Sequence, residues 1–115
     1  MRVIVTGGRN YQNYQVVEDI LWMIDPHDPL LLVIIQGGQT GADSLAKTWA
    51  EENAFQYETF KADWDKHGKA AGPIRNQEMI DVGADLVIAF PGGKGTADCM
   101  RRAKEAKIPI LQVFE

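Results

Sequence analysis

One cysteine, two histidines and a shortage of positive charge set the first limits on this 115-residue chain. Cys99 stands alone, which excludes a disulfide framework within the chain. His27 and His67 have neither a cysteine nor a second histidine at ligand spacing, so no metal site and no cofactor are expected. No stretch approaches the ~18 apolar residues of a membrane span. The opening MRVIVTGGRN has too short an apolar run for a signal-peptide core. These absences read as a cytoplasmic protein with no membrane partner. Basic residues number 12 against 16 acidic ones, a net charge of −4. That balance opposes a broad basic face coating nucleic acid, and aromatics are not interleaved with basic residues as in single-strand binders. Nucleic acid is therefore not an expected partner, whereas one small anion held at one spot is still open. No Ser-His-Asp order points to acyl transfer.

What is present is an ordinary globular composition, 45% hydrophobic and 24% charged. It suffices for one domain, residues 1–115, with a core that needs no staples. Short apolar runs alternate with helix-period segments. Val3 to Val5, Leu30 to Ile35, Phe55 to Phe60, Leu86 to Phe90 and Ile108 to Phe114 read as strands. Between them, residues 14–24, 41–52, 73–82 and 96–107 read as helices. The second carries Ala42, Leu45, Ala46, Trp49 and Ala50 on one face, and the last turns Ala97, Met100, Ala103 and Ala106 inward. Residues 25–29 form a turn cluster, Thr40 and Asp43 resemble a capping box, and residues 61–72 read as a long polar loop. The alternation predicts an α/β fold, a five-stranded parallel sheet with helices on both faces in a three-layer sandwich. The doubly wound order 3-2-1-4-5 fits it.

Three glycine pairs each follow a predicted strand: Gly7-Gly8, Gly37-Gly38 and Gly92-Gly93. Glycine lets a ligand approach the backbone, and a helix N-terminus offers free N–H groups to phosphate. In the order 3-2-1-4-5 the strands before these pairs are neighbours, so the loops converge on one crevice at the switch point. Neither a G-x-G-x-x-G fingerprint nor a Walker A loop is present, since Lys94 lies between glycines rather than after them. ATP hydrolysis and hydride transfer are not predicted. A local echo links residues 37–43, GGQTGAD, with residues 92–98, GGKGTAD.

The segment Pro91-Gly92-Gly93-Lys94-Gly95-Thr96 resembles the P-G-G-x-G-T signature of the SLOG superfamily, the Smf/DprA and LOG relatives. The chain is most similar to the small YspA-like group, through Gly7-Gly8-Arg9, residues 37–43, Ala62-Asp63-Trp64, residues 68–76 and residues 92–98. The resemblance spans almost the whole chain. It implies a Rossmann-like fold whose glycine loops bind a nucleotide or nucleotide-derived ligand. LOG enzymes cleave the N-glycosidic bond of nucleoside 5′-monophosphates, with a glutamate three residues after the signature threonine and an upstream arginine. Here Cys99 holds the glutamate's position, Asp98 precedes it, and Arg75 is the upstream arginine.

The reading that follows is a module that binds or senses a nucleotide or ribosylated derivative. Gly7, Gly8, Gly37, Gly38, Gly92, Gly93, Gly95 and Thr96 form the cradle. Arg9, Lys69, Arg75 and Lys94 bring positive charge, and Asn76 reaches the ligand. The alternative is an N-glycosidic hydrolase acting on nucleoside monophosphates or ADP-ribose derivatives, with Asp98 or Asp43 as its catalytic carboxylate. Tyr11 and Tyr14 either stack on a base or pack locally. Trp64 is expected to pack against the sheet edge rather than to act as a lid. Trp22, Met23 and Trp49 exceed the internal need of so small a chain, which leaves room for a homo-oligomer.

Overall fold

The computed structural model describes residues 1–24 and 29–115. Five strands, β1 (Arg2–Thr6), β2 (Val33–Gln36), β3 (Gln56–Thr59), β4 (Leu86–Ala89) and β5 (Ile110–Gln112), form one parallel sheet. Their order is β3-β2-β1-β4-β5, as the sequence predicts. The helices are α1 (Tyr14–Trp22), α2 (Ala42–Glu52), α3 (Trp64–His67), α4 (Ala71–Asp81) and α5 (Lys94–Glu105).

Strand side chains alternate between the two faces, and each face has its own core. Val3, Val5, Ile34 and Ile88 pack with Val17 and Leu21 of α1 and with Ala46 and Trp49 of α2. Ile4, Ile35 and Val87 pack with Met79 of α4 and with Cys99 and Ala103 of α5. The result is three layers with β1 in the middle. Each fully buried aliphatic side chain contributes about 1.5–3 kcal/mol, so stability resides in these two cores and not in the loops above the sheet. Among the described residues, no helix is long and apolar enough to cross a membrane.

Several expectations are corrected. Leu30 and Leu31 do not extend β2; residues 29–31 form a 3-10 turn that leaves both largely exposed, and the strand begins at Val33. The 61–72 segment is not a plain loop but contains α3 and a 3-10 turn at Gly68–Ala70. Four residues are too few to show a helical period. Thr40 is not a helix cap: Gly41 is the N-cap of α2, and the Thr40 hydroxyl donates to Arg9 O at 3.1 Å. The buried face of α5 carries Thr96, Cys99 and Ala103, while Ala97 and Ala106 are exposed. Trp49 belongs to the core, 1% exposed and stacked on Phe55 at 4.8 Å, whereas Trp22 and Met23 are exposed. Of the turn expected at residues 25–29, residues 25–28 lie outside the described residues, and Pro29 opens the 3-10 turn.

Candidate functional site

The three glycine loops meet because the strands that lead into them are neighbours. Gly8 joins them: its N–H donates to Pro91 O at 2.9 Å, and its carbonyl accepts from Ala42 N at 3.2 Å. A Cβ at Gly7 would strike Ala42, and one at Gly92 would strike the Thr96 hydroxyl and Gly8 N. Gly41 has φ +79°, a backbone state that costs other residues about 1–2 kcal/mol, and its Cβ would run into the Gly8 carbonyl. These glycines are there so that backbone can pack on backbone.

Gly93 and Gly95 differ. A Cβ at either would meet nothing within 4 Å. Gly93 has φ −105° and caps α5; Gly95 lies in the first turn of that helix. Packing requires glycine at neither position, and Gly95, inside the helix, has no backbone need for it either. The first bond of α5 runs from Ala97 N to Gly93 O at 3.1 Å. The N–H groups of Lys94, Gly95 and Thr96 therefore have no helical acceptor.

These residues border a crevice of about 920 Å³, within the size range of small-molecule sites. Gly7, Gly8, Arg9, Lys69, Arg75, Asn76, Gly92, Gly93, Lys94, Gly95, Thr96, Asp43 and Asp98 all line it. Gly37 and Gly38 do not. Gly37 is buried under Arg75, and Gly38 packs toward Thr59 and Lys61. Their loop reaches the crevice through Gln39 and Asp43 instead. The lining also includes Gly72, from the 68–76 motif, and Met79, which nothing in the sequence singled out.

Arg75 and Asn76, 6% and 4% exposed, cross-brace the site. Arg75 Nη1 donates to Gly37 O at 2.7 Å and Nε to Asn76 Oδ1 at 3.0 Å. Asn76 Nδ2 donates to Gly95 O at 3.2 Å and to Asp98 Oδ2 at 3.0 Å. Arg75 Nη2 has no acceptor among the described residues. Arg9 lies close enough to Arg75 that each charge disfavours the other. Arg9, Lys69 and Lys94 form no ion pair among the described residues, whereas Arg2, Arg101 and Arg102 do. The crevice thus brings together Arg9, Lys69, Arg75 and Lys94, four cations with no ion pair among the described residues.

The two carboxylates are not equivalent, although the sequence spells them alike. In the GGQTGAD loop, Gly41 takes a non-helical φ and α2 starts at Ala42. In the GGKGTAD loop the helix starts three residues earlier, at Lys94. Asp43 therefore folds back on its own loop. Its Oδ2 accepts from Gly37 N at 3.0 Å and Gln39 N at 3.4 Å. Burial pushes this carboxyl up to about 6, against the opposing pull of the Gln39 N–H, the Arg75 charge and the Gly37 N–H. Asp98 sits one turn into α5, where Oδ2 accepts from Arg102 Nε at 2.8 Å and Oδ1 from Arg101 Nη2 at 2.9 Å. Burial raises the Asp98 carboxyl too, but hydrogen bonds from Arg102, Asn76 and Arg101 outweigh it and hold the net value below the ordinary range. Cys99, where LOG enzymes have glutamate, is fully buried, and burial raises its thiol to about 11. Among the described residues no group of three His, Cys, Asp or Glu could hold a metal ion.

Aromatic residues border the crevice as well. Tyr11 packs its ring on Phe90, centroids 5.5 Å apart, which favours local packing over base stacking. Trp64 stands at the crevice rather than against the sheet edge, 47% exposed.

A family model described as YspA, cpYpsA-related SLOG family matches residues 1–67. The Gene 61 protein of Mycobacterium phage D29 is 42% identical over 117 residues, covering 96% of this chain and 94% of that protein. Among solved structures, DNA processing protein A from Streptococcus pneumoniae matches with a TM-score of 0.80 at 18% identity. The match covers 99% of this chain and 50% of that one. TM1055, a structural-genomics target, matches with a TM-score of 0.69 at 18% identity, over 95% of this chain and 71% of that one. Both share the Rossmann-like fold, and the chain spans half the length of the first. Because that neighbour is a DNA-processing protein, the expectation that nucleic acid is no partner draws no support from it.

Proposed function

From the premise that the chain belongs to the YspA, cpYpsA-related SLOG family, we propose that its crevice binds a nucleotide or ribosylated nucleotide derivative. The carrying observation is the pair Gly93 and Gly95, whose missing side chains leave open space before the first turn of α5. A phosphate seated there receives N–H groups with no other acceptor, and the helix dipole favours its charge. Arg75 Nη2, Arg9, Lys69 and Lys94 add attraction without first having to break an ion pair. An anion between Arg9 and Arg75 also relieves their mutual repulsion. Net charge does not oppose this, because backbone donors carry no formal charge.

Binding without turnover is the leading reading. The rival is N-glycosidic hydrolysis, and one observation favours a particular carboxylate for it. Asp43 lines the crevice and titrates near neutrality, as a proton acceptor requires, whereas Asp98 is committed to two arginines and Asn76.

Calorimetric titration with AMP, GMP, CMP, UMP and ADP-ribose, followed by chromatography of the mixture, tests both. Saturable binding with the ligand recovered intact supports the binding module. Release of free base, lost in Asp43→Asn, replaces it with the hydrolase. Failure of every compound to bind at millimolar concentration overturns both, and an oligonucleotide in the same panel tests for a nucleic-acid partner.

A further inference from the structure

Resting on the nucleotide reading above, we infer that Trp64 and Arg9 form the seat of the ligand's aromatic base. This makes the site selective for nucleoside phosphates over sugar phosphates. Trp64 is a large aromatic side chain left half open to water, and it belongs to neither hydrophobic core. It is nevertheless well positioned. It opens α3, whose first turn is capped by Asp63 Oδ1, the acceptor of Lys66 N at 3.1 Å, while Asp63 O accepts from His67 N at 3.0 Å. The edge of the indole rests over Gly72, where an added Cβ would lie 3.4 Å from Cη2 and would meet no other atom within 4 Å. The indole edge thus lies beside the first turn of α4 at the crevice, where even an alanine would make only an ordinary van der Waals contact with it.

Facing the ring is Arg9, from the loop after β1, with its guanidinium carbon 5.8 Å from the ring centroid. Arg9 is exposed and has no ion pair among the described residues. Among the described residues its one aromatic contact is thus this cation over the Trp64 ring, contributed by two separate elements that border one crevice. Guanidinium and indole planes both stack on heteroaromatic rings. The phosphate cradle at α5 and Arg75 borders the same space, so a ligand bridging both features has a phosphate at one end and a flat base at the other. A two-ring purine offers the larger stacking area.

The test compares AMP with ribose 5-phosphate, which lacks only the base, on the unaltered chain, Trp64→Ala and Trp64→Phe. Trp64→Ala is expected to weaken AMP about tenfold, to leave ribose 5-phosphate unchanged, and to be largely rescued in Trp64→Phe. On the unaltered chain, AMP quenches tryptophan emission and ribose 5-phosphate does not; this readout does not depend on how the variants fold. Equal weakening of both ligands assigns Trp64 a structural role and overturns the inference, as does an AMP affinity indifferent to the substitution. Absence of AMP binding to the unaltered chain also overturns it, while the wider reading is judged on the full nucleotide panel. AMP binding without the selective quench overturns the base seat alone and leaves the phosphate cradle standing.

Discussion

Asp43 shows how one residue links the site to the stability of the whole chain. In the unfolded chain its carboxyl ionises in the ordinary range near 4; in the folded chain it holds its proton up to about 6. The folded state therefore binds the extra proton between these values. The stabilisation is fully present below about pH 4 and lost as pH rises through 6, by up to about 3 kcal/mol. Asp43→Asn keeps an oxygen to accept from Gly37 N and removes the titration. Urea unfolding at pH 4 and pH 7 should show a steeper loss of stability for the unaltered chain than for the variant; matching pH profiles would show that Asp43 titrates as an ordinary surface carboxyl. The two aspartates also mark a limit of sequence reading. Their heptapeptides share the initial Gly-Gly and the final Ala-Asp, and those shared ends do not reveal that Gly41, where the second loop has Thr96, takes a positive φ beside the Gly8 carbonyl. Arg75 is a similar case. Its residue type pointed to an anion, but its bond to Gly37 O joins positions 38 apart, and no local pattern encodes that.

At the scale of elements, the first turn of α5 is, on the proposed reading, a helix start open to a ligand. Alanine forms helix better than glycine by about 1 kcal/mol, and at position 95 it finds open space. Gly95→Ala is expected to leave the melting temperature unchanged or slightly raised while weakening AMP at least tenfold. Melting curves and calorimetry on the same preparation check both halves, and undiminished affinity would remove the argument for a ligand above α5. The elements themselves were legible wherever apolar spacing carries the information. The five strands and four longer helices follow from it, and the sheet order follows from the doubly wound pattern. The inner face of α5 was not, because Thr96 and Cys99 are buried there while Ala97, a more apolar side chain than threonine, faces outward. Leu30 and Leu31 misled for the opposite reason, being apolar yet exposed.

At the scale of the molecule, the crevice draws on loops following β1, β2 and β4 and on the braces from α4. A ligand there binds only the assembled fold, so its free energy adds to that of folding. AMP at 100 times its dissociation constant should raise the unfolding free energy by about 2.7 kcal/mol. Urea unfolding with and without AMP measures this, and an unchanged midpoint at saturation would mean that the bound state does not require the assembled loops. Most of the crevice-lining residues could be named one at a time from the sequence, although Gly37 and Gly38 do not line it and Met79 was not foreseen. The division of the glycines into those packed closely by neighbouring atoms and those that border open space required the packed loops.

The bond from Gly8 N to Pro91 O has a consequence for the chain as it is made. Central though β1 is, one of its two partners is β4, and the loop that completes the crevice emerges only after some ninety residues have been synthesised. A nascent chain still attached to the ribosome at β3 has the first two glycine loops but no Pro91 to receive the Gly8 amide and no α5 to offer its free N–H groups. On the proposed reading, ligand capture is thus deferred until most of the polypeptide has been made, because a shorter chain lacks the α5 N–H groups that would seat a phosphate.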